Sequence, residues 1–123
     1  MTDTLTAERL EDYLRKIGVS VTVISDPAGT PYSVAEKVTI PSGPLRGRIC
    51  DVALQRINTV PYTVPAGIHT RPALVPMSPG PPIGTQPSPL GPDWQYWSRR
   101  YDRAPTEQGI WAHILGILTK AQP

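Results

Sequence analysis

"GPDWQYWSRR", residues 91–100, places two tryptophans, a tyrosine and two arginines in one short stretch of a 123-residue chain that has three Trp, five Tyr and no Phe. Its reading decides the fold, because a chain without phenylalanine must build its aromatic core from such clusters. As the run into a terminal helix, the stretch lets Trp94 and Trp97 roof the core while the arginines extend outward. As a surface, Trp94, Tyr96, Arg99 and Arg100 have the composition of a protein-binding hot spot. Stacking of single-stranded nucleic acid on the rings is a third possibility. Against it, Arg99, Arg100 and Arg103 are nearly balanced by Asp93 and Asp102, so nucleic acid is not the expected partner.

Downstream, "APTEQGIWAHILGILTK" is helical by period: Ile110, Ile114, Ile117 and Leu118 share a face that Trp111 and Leu115 widen. Gly109, Ala112 and Gly116 form a stripe of small residues on another side. Each glycine costs a helix about 1 kcal/mol, which suggests close approach by another element. His113 lies at the edge of the apolar face as a half-buried structural histidine. Upstream, ten of the chain's sixteen prolines lie between Pro61 and Pro92. Proline lacks the backbone N–H and fixes φ, so residues 76–92 are expected to be an irregular crossover. His69, in "GIHTRP", is expected to be a loop histidine.

Further upstream the periodicity is clear. Thr6 can cap a helix over "AERLEDYLRKI", with Leu10, Tyr13, Leu14 and Ile17 on one stripe and Gly18 just beyond. "VSVTVIS" (19–25) and "SVAEKVTI" (33–40) read as strands separated by the turn "DPAGTPY". "LRGRICDVALQRI" (45–57) is the third strand, with Cys50, Val52 and Leu54 on its inward face. "ALV" (73–75) is a possible short fourth strand. The expectation is a single α+β domain over residues 1–123: an N-terminal helix, an antiparallel four-stranded meander, a proline-rich crossover and a C-terminal helix.

Composition excludes several function classes. No apolar run approaches the roughly 20 residues that span a bilayer. "MTDTLTAERLEDYLRK" lacks the basic start and apolar centre of a secretory signal, so a cytoplasmic location is expected. The net charge of +2 is too small for a nucleic-acid footprint. One cysteine and two widely separated histidines make neither a disulfide nor a metal site, and no cofactor motif occurs.

With a helix before a meander, "VPYTVPAG" (Pro61, Tyr62, Pro65) after the third strand and Trp97-Ser98 before the last helix, the chain resembles the ubiquitin-conjugating enzyme superfamily, particularly its divergent bacterial branches. The resemblance implies an activating enzyme and a ubiquitin-like protein as partners, with Arg9, Arg15 and Lys16 of the first helix as candidate contacts. It also implies a catalytic cysteine in the coil before Trp97. That coil, "PMSPGPPIGTQPSPLGPD", contains no Cys, His or Asn. The reading is therefore a non-catalytic, conjugating-enzyme-like protein that acts by protein binding. The alternatives are an active enzyme, using Cys50 or a cysteine replaced by a serine such as Ser88, and an unrelated α+β domain that binds protein or nucleic acid. Cys50 is expected to be a buried core residue, since a lone cysteine in an apolar strand usually is.

Overall fold

The computed structural model describes residues 5–59, 62–103 and 105–123. Among these residues two helices and six strands follow in chain order: α1 (Ala7–Lys16), β1 (Ser20–Ser25), β2 (Pro31–Thr39), β3 (Ile49–Gln55), β4 (Gly67–Arg71), β5 (Thr85–Ser88), β6 (Gly91–Ser98) and α2 (Glu107–Lys120). All six strands join one antiparallel sheet in the order β1-β2-β3-β4-β6-β5. The fold is α+β, but the expected four-stranded meander with a crossover is overturned. The first four strands pair consecutively, and the chain then adds a further hairpin on the far side of β4.

The reason lies in the opening stretch. Trp-Gln-Tyr-Trp is rich in residues that suit a pleated surface, and it forms the centre of β6 rather than a lead-in to a helix. Strand alternation splits the aromatic cluster: Gln95 and Trp97 face the helices, Trp94 and Tyr96 the opposite side. The supposed irregular segment 76–92 contains β5 and the start of β6. Pro87 is tolerated because β5 is an edge strand, where a missing N–H need break no ladder bond. The fourth strand is Gly67–Arg71, not "ALV". Flanked by Pro72 and Pro76, residues 73–75 find their backbone partners in a side chain instead. Buried Gln95 accepts from Leu74 N–H at 3.0 Å and Val75 N–H at 3.4 Å, and donates to the Val75 carbonyl at 2.8 Å.

Both helices cover one face. Leu10 and Leu14 of α1 and Ile110, Ile114, Ile117 and Leu118 of α2 pack with Val38, Cys50, Val52, Leu54, Ile68 and Trp97 of the sheet. Thr6 and Thr106 cap the two helices, accepting from Arg9 N–H at 3.1 Å and Gly109 N–H at 2.9 Å. α1 is tied down by Glu11, a buried carboxylate that accepts from Arg56 Nε at 2.7 Å and Nη2 at 3.1 Å and from the Ser33 hydroxyl. Burial alone would raise its pKa, but these donors hold it below the ordinary carboxylate value. The other face carries a smaller cluster of Tyr32, Val34, Ala53 and Trp94.

Candidate functional site

Residues beyond β6 turn back over α2 and leave a groove of about 600 Å³ between the two. Its rim carries Arg99, Arg100, Arg103 and Lys120, opposed by Asp102, and Ala112, Gly116 and Ile117 lie along its helix wall. Tyr101 holds the segment in place. A Cβ on Gly109 would lie 2.5 Å from the Tyr101 hydroxyl, so the glycine is what lets the ring lie against the helix. The His113 ring meets the Tyr101 ring at 5.0 Å. Burial lowers the His113 pKa, while a backbone contact to Arg99 and the charge of Asp102 act in the opposite sense. At Gly116, by contrast, a Cβ would meet nothing within 4 Å. The helix therefore leaves open space beside Gly116, between the basic side chains that line the groove.

The expected partner-binding residues do not form one surface. Arg99 and Arg100 belong to the groove, although the Arg99 guanidinium also lies 5.6 Å from the centre of the Trp97 ring. Trp97 is fully buried under the helices, donating from Nε1 to Thr70 Oγ1 at 2.9 Å. Trp94 does not roof the last helix. It is buried on the opposite face, with the Arg71 guanidinium 4.6 Å above its ring. Tyr96, also on that face, is half-buried against His69. On α1, Arg9 reaches Glu107 of α2 at 3.6 Å, Arg15 pairs with Asp12 at 3.3 Å, and Lys16 is exposed. Of the proline-turn residues, Tyr62 is buried in the main core, whereas Pro61 lies outside the described residues.

Cys50 is 2% exposed, and burial pushes its thiol up to about 11. A thiol in that position is protonated near neutral pH and shielded from an incoming acyl group. Ser88 has a neighbour that its sequence context does not reveal: its Oγ is 2.8 Å from His69 Nδ1. His69 is a strand residue, not a loop one, and 5% exposed between Tyr32 and Tyr96. Burial pushes it down to about 4, which makes it a poor base for activating a hydroxyl. The Ser88 hydroxyl also accepts from Leu90 N–H at 3.1 Å, so it closes the β5–β6 turn and links it to β4.

Sequence alone gives Lys120 and Tyr101 no role and weighs Arg103 only in a charge balance. The available signal was the stripe of small residues on α2, which implied a close neighbour without naming it. Among the described residues no group of His, Cys, Asp and Glu side chains is placed to hold a metal ion, and no helix is long and apolar enough to cross a membrane. No family model, curated protein or solved structure matches the chain.

Proposed function

We propose that the protein is a non-catalytic binding domain whose groove between residues 99–103 and α2 takes an acidic peptide segment of a partner protein. The observation that carries this reading is the groove's charge: Arg99, Arg100, Arg103 and Lys120 against Asp102, beside the small and apolar Ala112, Gly116 and Ile117 of α2. Arginine forks suit carboxylates, and the small side chains let an extended backbone approach the helix. The buried thiol of Cys50 and the depressed basicity of His69 support binding rather than acyl transfer.

The partners implied by the sequence resemblance, an activating enzyme and a ubiquitin-like protein, are candidate sources of the acidic segment. Calorimetry with an Asp/Glu-rich peptide should show binding that weakens as salt rises, since exposed charges are screened over about 10 Å at 0.1 M. Arg100→Glu with Arg103→Glu should abolish it, and Gly116→Leu should block it by filling the open space there. Binding unchanged in both variants would remove the groove from consideration. With activating enzyme, ubiquitin-like protein and ATP, no reductant-sensitive adduct of the chain is expected. An adduct lost in Cys50→Ala would overturn the non-catalytic reading.

A further inference from the structure

The two edges of the sheet are protected very differently. β5 is a strand of four residues interrupted by Pro87, and both features discourage pairing with another chain. β1, at the opposite edge, spans six residues, Ser-Val-Thr-Val-Ile-Ser, with neither charge nor proline. An uncharged edge strand of this length is a template for strand addition.

The pairing register shows which backbone groups are on offer. Asp26 N–H bonds to the Thr30 carbonyl at 3.0 Å to close the β1–β2 hairpin. In an antiparallel pair, inward and outward residues alternate, so Ser20, Thr22 and Ile24 direct their N–H and C=O toward β2. Val21, Val23 and Ser25 direct theirs outward. Two local bonds agree with this phase: Val19 N–H donates outward to the Leu14 carbonyl at 2.9 Å, and the Arg15 guanidinium meets the Val21 carbonyl at 3.5 Å. Val23 and Ser25 lie beyond the reach of these two devices. Val23 is also 48% exposed, and Ile17, at the end of α1 on the same side, is exposed as well.

We infer that β1 pairs with β1 of a second copy of this chain, extending the sheet across a twofold axis. The strand's self-complementarity selects this occupant. With Val23 opposite the same residue of the second copy, Val21 of each chain falls opposite Ser25 of the other. The outward N–H and C=O groups of Val23 then pair across the axis, and the Val21 carbonyl, which the Arg15 guanidinium meets at 3.5 Å, turns to the Ser25 N–H of the other chain as Arg15 moves aside. In such an isologous contact every side chain meets its own strand, so a charged residue would face its like, and Val19–Ser25 contains none. The Arg15 guanidinium that meets the Val21 carbonyl is already paired with Asp12 at 3.3 Å, so it offers an acidic partner little.

Sedimentation and light scattering between about 10 μM and about 1 mM, where weak self-association becomes visible, should show a concentration-dependent dimer. Val23→Pro removes an outward N–H without breaking a bond to β2, an edge position that tolerates proline. It should weaken dimerisation at least tenfold while leaving the circular dichroism spectrum unchanged. Val23→Lys, which places like charges at the axis, should do the same should the proline variant fail to fold. Ile49→Lys, at an exposed apolar position in β3, should leave the dimer intact. Hydrogen exchange should show the Val23 and Ser25 amides gaining protection as concentration rises. A monomer throughout that range, or a dimer in which those two amides stay unprotected, would overturn the inference.

Discussion

Trp97 and Trp94 belong to one strand, and both are buried, yet they are buried by different means. Trp97 lies beneath α1 and α2 in the main core. Trp94 lies on the other side of the sheet, beside Tyr32, Val34 and Ala53, with the arginine of β4 across its ring. One face is closed by secondary structure carrying a broad apolar surface. The other is closed by large side chains laid on the sheet and by polar links such as Tyr32 to Asp26 and Ser88 to His69. A helix-covered face excludes water cooperatively, whereas a face covered by side chains can admit water once one of them is removed. The two tryptophans should therefore respond differently to the same truncation.

The largest expected effect tests that difference directly. Trp97→Ala opens a cavity under two helices and leaves the Thr70 hydroxyl without its indole donor, so unfolding free energy should fall by about 4–5 kcal/mol. Trp94→Ala should cost about half as much, because its neighbours and solvent can refill the space. Urea denaturation of both variants gives the comparison. Equal losses would show that the face without helices is as tightly built as the covered one.

Titration separates the faces by pH. His69, on the open face, has an ordinary pKa of 6.5 when unfolded and about 4 when folded. Between these values the unfolded chain binds more protons, so stability falls as pH falls through that window, by about 3 kcal/mol on reaching pH 4. Glu11, under α1, has a folded pKa below its ordinary value of 4.5. Its contribution is present above that value and is lost only as pH falls below it. The open face should thus weaken first on acidification. His69→Gln, which can still bond Ser88, should flatten the stability profile between pH 6.5 and about 4 while leaving the fall due to Glu11. A wild-type profile that is already flat in that window would mean that the ring is hydrated, not buried.

The same contrast accounts for what was legible in the sequence. α1, α2 and the first three strands announce themselves through apolar periodicity, because each packs against the covered face and needs a repeating apolar side to do so. Cys50, Val52 and Leu54 show this in β3. The last three strands carry little of that signal. β4 is short, and at its centre stands a histidine buried by neighbouring rings. β5 contains a proline. In β6 the inward position beside Trp97 is Gln95, whose polarity hides its burial because its partners are the backbone of residues 74 and 75. Trp94 and Trp97 invite one shared role until alternation sends them to opposite faces. In the groove, Arg99 and Arg100 could be marked from composition. Arg103 and Lys120 join them only once the chain folds back over α2, which local sequence does not encode.

The smallest expected effect sharpens the comparison at the outer side of the covered layer, where α2 is itself uncovered along part of its length. Gly109 and Gly116 lie on one stripe, and helix propensity alone would favour alanine at both. Their surroundings differ. At Gly109 a methyl group would lie 2.5 Å from the Tyr101 hydroxyl and 2.9 Å from the capping hydroxyl of Thr106. Gly109→Ala should therefore displace the segment over the helix or disturb its cap, and lower stability by about 1 kcal/mol despite the propensity gain. At Gly116 the added methyl group enters open space, so Gly116→Ala should raise stability by about 0.5–1 kcal/mol. Thermal unfolding of the two variants should shift in opposite directions. Stabilisation by both would show that Tyr101 does not hold residues 99–103 against α2, and the groove would lose its outer wall. Destabilisation at Gly116 would show that its open side is filled by something packed against the helix, leaving no space for a peptide to occupy.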